Sequence, residues 1–144
     1  MREVKTMFTE VLDHNLTPLQ ITELFVKDYE AWRAYAWEQE ESNSPESQWN
    51  IGKSYDNLIL KYCGKDKKYQ ALSYGNDNEL WENFEVLDVK EEKNKAVVRV
   101  KHTNPQFDFL QNEYEFHFVK ESRWILQEKY YLDSYDNNNP LPCL

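Results

Sequence analysis

The clearest hydrophobic pattern in the chain runs through "LTPLQITELFVKDYEAWRAYAWEQEE", Leu16 to Glu41. Apolar residues recur at helical spacing, with Ile21, Leu24, Phe25, Trp32, Tyr35 and Ala36 on one face. Gln20, Glu23, Lys27, Glu30 and Glu41 fall on the other. This predicts a long amphipathic helix. Its start is marked chemically: Thr17 as cap, Pro18 in the first turn, Gln20 completing a T-x-x-Q capping box. Glu23 and Lys27 stand four apart in the favourable order. Before it, residues 2–16 suggest a short helix or arm with Val4, Phe8, Val11 and Leu12 at helical spacing. After it, "SNSPESQWNIGK" breaks the pattern at Pro45, and a second helix fits roughly 50–63. That helix turns Ile51, Tyr55, Leu58, Ile59 and Tyr62 inward and ends at Gly64. "KYQALSYG" reads as a short strand.

From residue 84 the period changes from 3.6 to 2. "FEVLDVKEEKNKAVVRVKH" predicts a hairpin turning at Glu92–Asn94. "NEYEFHFVK" places Tyr114, Phe116 and Phe118 on one face. "RWILQEKYYLD" sets Trp124, Leu126, Glu128 and Tyr130 against Ile125, Gln127 and Lys129, and "KESR" joins these two strands. The tail "SYDNNNPLPCL" has loop chemistry. Helices followed by an antiparallel meander mean α+β, with the long helix covering the apolar face of a curved sheet.

Length and composition support one domain, 1–144, with its own core. Aromatics are 15% of the chain, with five Trp and ten Tyr, enough to supply the bulk of that core. The net charge of −9 disfavours nucleic acid and an anionic membrane surface as partners, and makes a basic protein the natural opposite. Cys63 and Cys143 stand far apart and form no disulfide framework. "MREVKTMFTEVLDHN" lacks the apolar core of a signal peptide, and nothing approaches a membrane span, so a cytoplasmic location with reduced thiols is expected.

Four runs carry a family resemblance: "ITELFVKDYEAWRAYAWE", "LSYGNDNE", "NKAVVRVKHTN" and "WILQEKYYLDSYD". Together they resemble bacterial immunity proteins of the nuclear transport factor 2-like fold, over roughly Thr17 to Leu144. The resemblance implies an α+β cone of helices packed on a curved antiparallel sheet. It also implies a protein encoded beside a secreted polymorphic toxin, which it binds and neutralises to protect producer and sibling cells. That family shares no catalytic motif, and its toxin contacts vary, so no functional residue carries over. "ELWENFE" is richer in aromatics than the matching segment expected in relatives.

The same fold hosts small enzymes with an Asp base or Asp–His pair inside the cone. Candidates here are His102, His117, Glu128 and Asp88. His117 lies opposite Tyr114, Phe116 and Phe118, which points to solvent or an edge partner. Glu128 shares a face with Trp124, Leu126 and Tyr130, so it is either paired inside or lines a pocket. Cysteines and histidines lack ligand spacing, and Asp77–Glu79 lacks the calcium-loop pattern. Phosphate-loop, nucleophile-elbow and dinucleotide motifs are absent from the sequence. The expectation is therefore a non-enzyme, with no catalytic residue, metal or cofactor.

Charge is segregated along the chain. No Lys or Arg occurs from Ala34 to Gly52 or from Tyr69 to Val89. Bases concentrate in Lys61–Lys68, Lys90–Lys101 and Lys120–Lys129. Acids serving solubility alone are interspersed with bases. Here Glu38, Glu40 and Glu41 follow Trp37, and Asp77, Glu79 and Glu82 surround Trp81. These seven residues, Trp81 with the six acids, are the expected toxin-binding set, with Trp81 either an interface anchor or tucked under the sheet. Gly75 and Asn76 favour a turn that projects this segment. Trp49 is assigned to the core. Two other readings stay open: a small-molecule enzyme or carrier using the cone cavity, and a dimeric structural domain.

Overall fold

The computed structural model describes residues 4–65, 67, 79–133 and 136–144, with backbone alone at 133 and 136–139. Two helices pack on one face of a five-stranded antiparallel sheet with strand order β1-β2-β3-β4-β5. Helix α1 spans Pro18–Ser42 and α2 spans Ser47–Cys63. The strands are β1 (Phe84–Glu91), β2 (Lys95–Thr103), β3 (Gln111–Lys120), β4 (Trp124–Asp133) and β5 (Asp136–Pro142). The fold is α+β, as the sequence pattern requires.

Helix α1 starts on the expected capping box. The Gln20 amide donates to Thr17 Oγ1 at 3.2 Å, and the Thr17 amide donates to Gln20 Oε1 at 2.9 Å. Asn43, in the left-handed region, ends the helix. Ile21, Phe25, Trp32 and Ala36 are buried, while Leu24 lies exposed at the rim. The Glu23–Lys27 pair forms at 2.9 Å. Glu30 departs from its expected solvent face, because the segment entering β1 folds over it and the Glu79 amide donates to its Oε1 at 2.9 Å. Helix α2 begins a few residues before its expected start and buries all five expected residues, Ile51, Tyr55, Leu58, Ile59 and Tyr62. The helices are stitched by the Trp32 indole N–H, which donates to Ser54 Oγ at 3.1 Å.

The N-terminal segment is an arm with one 3₁₀ turn, Val4–Thr6, rather than a regular helix. Asn57 Nδ2 pins it by donating to the Val4 carbonyl at 3.0 Å. Phe8 takes a positive φ of 61°, uncommon for a bulky side chain. That turn buries Phe8 and Leu12 and leaves Val11 in solvent.

Both expected hairpins form. Glu92 N–H donates to the Lys95 carbonyl across the first turn at 2.8 Å. Ala96, Val98, Val100, Tyr114, Phe116 and Phe118 face the helices and are buried. The opposite face is a lattice of charge, with Arg99 Nη2 2.9 Å from Glu113 and Lys101 Nζ 3.4 Å from Glu85.

Two expectations fail in the second half. Strand β4 does not alternate throughout: Phe118 pairs with Leu126 but His117 pairs with Glu128, so Gln127 is an extra residue. This bulge reverses the phase of the strand. Lys129 and Tyr131, opposite Phe116 and Tyr114, therefore face the core, and Tyr130, opposite Glu115, faces away. The tail is not a loop but edge strand β5, with Leu141 opposite Tyr131 and Pro142 opposite Tyr130. An edge strand tolerates proline because one side needs no donor. The expected strand "KYQALSYG" lies outside the described residues.

Candidate functional site

The segment Glu79–Asn83 reaches the sheet at the end where β1 starts, β2 ends and β3 begins. Its Glu79 turns inward. Glu79 Oε2 accepts a hydrogen bond from the Tyr114 hydroxyl at 2.8 Å and lies 3.5 Å from His102 Nδ1. Trp81 stacks on Phe84 with centroids 5.7 Å apart, and Phe84 in turn meets the His102 ring at 5.0 Å. His102 is buried, and its Nε2 has no hydrogen-bond partner among the described residues. The β4 bulge brings Lys129 to the same place, its ammonium 4.3 Å from the Tyr114 ring centre and 5.3 Å from that of Tyr29. Ring faces carry the negative part of the aromatic quadrupole, so they stabilise this buried cation.

Burial pushes the Tyr29 hydroxyl up to about 12. Burial, then the neighbouring Glu79 carboxylate, raises that of Tyr114 further. Both phenols keep their protons at neutral pH, and that of Tyr114 donates to Glu79. The cavity between Phe25, Tyr29, Glu30, Glu79, Phe84 and Lys129 measures about 10 Å³, room for roughly one water molecule. The cluster can hold and orient protons, but this pocket, as the described residues line it, is too small for an organic substrate.

The other acid–base candidates lie apart from this cluster. Glu128 is buried and accepts from Lys67 Nζ at 2.6 Å, from the Lys129 amide at 3.0 Å and from the Leu144 amide at 2.8 Å. It fastens Leu144 to β4, so of the two readings it is paired inside, by a lysine and two main-chain amides. His117 is on the outer face, 3.0 Å from Glu115 Oε1 and edge-on to Tyr130. Asp88 is exposed on β1 with Lys90 Nζ at 3.9 Å. Among the described residues no group of three or more His, Cys, Asp or Glu is placed to hold a metal ion. Cys63 and Cys143 are both free thiols.

The expected binding residues divide. Asp77 lies outside the described residues. Glu79 points into the fold, and Trp81 is half-buried against the core. Glu82, Glu38, Glu40 and Glu41 are exposed. Trp49, assigned to the core from sequence, is 57% exposed because it lies on the side of α2 away from Ile51, Tyr55 and Leu58.

Helix α1 runs along β3 toward its first residues: Phe25 meets the Phe116 ring, and Tyr29, one turn later, shares Lys129 with Tyr114. The last turns of α1, with Glu38, Glu40 and Glu41, therefore extend toward the end of the sheet that carries Glu82 and the β2–β3 loop. Gln48 Nε2 donates to Glu40 Oε1 at 3.2 Å, which brings the start of α2 and Glu46 alongside. The basic residues Lys93, Lys95, Lys120 and Arg123 occupy the turns at the other end, where Arg123 Nη2 donates to the Lys61 carbonyl at the foot of α2. Glu91, Glu92 and Glu121 are exposed in the same turns, so that end is mixed in charge.

The β2–β3 loop supplies residues that sequence reasoning missed. Phe107, Phe109 and Leu110 are exposed, Phe109 by 75%. The loop is tied down: Asn104 Oδ1 accepts from the Gln106 and Phe107 amides at 2.8 and 3.1 Å, and the Asn104 amide donates to the Leu110 carbonyl at 2.9 Å. Two phenylalanines inside an Asn-Pro turn between strands, where no core position exists for them, were the available signal. Comparison with models of protein families, with curated proteins and with solved structures gives no match.

Proposed function

We propose that this chain is an immunity protein of the nuclear transport factor 2-like kind, which binds and neutralises a cognate secreted bacterial toxin in the cytoplasm. The observation that carries this reading is the acidic end. Glu38, Glu40, Glu41, Glu46, Glu82 and Asp108 are exposed, and a hydrogen-bonded loop holds Phe107, Phe109 and Leu110 in solvent. Exposed apolar anchors and exposed acids are what a basic protein surface needs: the anchors supply affinity and the acids speed encounter. The family resemblance of the four sequence runs, and the α+β order of helices before meander, support the same reading. A toxin with a positive substrate groove would be blocked by such a surface. The test is to identify a large secreted protein encoded beside this chain and co-express its C-terminal domain. The parent chain should rescue growth and bind the domain, and Phe107→Ala/Phe109→Ala should lose both while its melting temperature holds. Full protection by that variant sinks the anchor assignment, and no binding by the parent sinks the immunity reading.

One observation favours a second reading, a small-molecule enzyme or carrier: the buried His102, with Nε2 unpartnered among the described residues, beside Glu79 and Tyr114. Against it stands a cavity of about 10 Å³. Soaking or titration that opened this space around a ligand would shift the balance toward it.

A further inference from the structure

Strand β1 is an edge of the sheet, and its exposure is anomalous. All of its residues after Phe84 are exposed. Register sets Val86 opposite Val100 and Val89 opposite Val98, on the face that packs against the helices. Val98 and Val100 are 0% exposed, whereas Val86 and Val89 are 39% and 40% exposed. The apolar face therefore continues one strand beyond its cover, and among the described residues no strand pairs with the far edge of β1. A β-bulge lies at Leu87–Asp88, where the register shifts. Bulges and charges usually keep an edge strand from pairing. Here one opposite-charge pair, Glu85 and Lys90, lies symmetrically about the bulge.

We propose that β1 is a dimerisation strand: two copies of this chain join β1 to β1, antiparallel, about a two-fold axis at the Leu87–Asp88 bulge, fusing two five-stranded sheets into one. A two-fold interface must be self-complementary. With the axis at the bulge, Val86 faces Val89 of the second copy on the helix side. Glu85 faces Lys90 of the second copy on the outer side, and the axis repeats both contacts. The four valines then close over Val98 and Val100. Shifting the axis onto Leu87 sets Val89 against Glu85, and shifting it onto Asp88 sets Val86 against Lys90. Of these three registers only the one at the bulge pairs Val86 with Val89 and Glu85 with Lys90, with Phe84 and Glu91 facing each other at the strand ends. An axis on Val89 would pair Val89 with itself and Asp88 with Lys90, and Glu85→Lys distinguishes the two. Among the described residues Glu85 and Lys90 pair loosely, with Lys101 at 3.4 Å and Asp88 at 3.9 Å.

The test is sedimentation equilibrium of the intact protein and charge-swapped variants, with melting curves to verify folding. The parent should dimerise. Glu85→Lys and Lys90→Glu each set like charges opposite one another twice, and each should weaken the dimer about tenfold. The double variant restores opposite charges and should return to near the parent affinity. In a Cys143→Ser background, Val86→Cys/Val89→Cys should cross-link copies under oxidation. Within one copy the two sites are about 10 Å apart along the strand, too far for a disulfide. A parent chain monomeric up to about 1 mM overturns the proposal. So does a double variant no tighter than the single ones, or β1 that becomes protected only on binding a different protein.

Discussion

The Glu79 carboxylate accepts the Tyr114 hydroxyl hydrogen bond at 2.8 Å, joining the segment before β1 to the buried face of β3. The tyrosine is buried, and the acid also lies 3.5 Å from His102 Nδ1. Tyr114→Phe leaves a buried carboxylate short of a donor, and should cost about 1–3 kcal/mol. Glu79→Gln keeps an acceptor for Tyr114 and should cost less. Chemical denaturation of both variants measures the difference; equal and negligible losses would mean the bond carries no stability.

Trp81→Ala removes the ring stacked on Phe84 and should lower stability by about 2 kcal/mol, below the range for fully buried aromatics because Trp81 is half-buried. A melting temperature equal to the parent's would return Trp81 to the role of a surface anchor.

Glu128→Gln should be the most damaging of the acid-to-amide changes. It breaks a partly buried ion pair with Lys67 and weakens the acceptor of the Leu144 amide. Removing one partner of such a pair costs about 3 kcal/mol. Hydrogen exchange should show β5 and the last residues opening before the rest of β4. Unchanged protection there would contradict the fastening role.

Alkaline pH should unfold the protein through its buried phenols and thiol. Burial pushes Cys63 from 9.0 up to about 12 and Tyr29 from 10.0 up to about 12. Burial first, then Asp28, raises Tyr62 beyond that. The unfolded chain releases these protons at ordinary values, so above pH 9.0 the folded state binds more protons than the unfolded one. The stability from these groups is complete below the unfolded values and is lost as pH rises toward the folded ones. Melting temperature should fall steadily from about pH 9 to 11, and a flat profile would show these groups to be reachable by water.

The cap at Thr17, both helical faces and the two hairpins were legible because each depends on residues close in sequence. A capping box spans four positions, helical periodicity resolves within a few turns, and a hairpin within one turn and its flanks. Acid and base segregation was legible too, though which acids are exposed was not. Glu30 and Glu79 look like surface residues in any window around them. They are drawn inward because the segment before β1 crosses α1, a contact between positions 49 apart. The phase of β4 could not be read either. Alternation predicts Glu128 and Tyr130 on one face, but one extra residue at Gln127 sends Lys129 into a box of rings supplied by α1 and β3. The tail looked like a loop because its asparagines and prolines favour turns. It pairs as β5 because β4 offers a free edge and Glu128 an acceptor for the last amide. Local preference fixed the elements. The bulge, the inward acids and the final strand were decided by partners far along the chain, whose hydrogen bonds and burial outweigh the few tenths of a kcal/mol that intrinsic propensity contributes per residue.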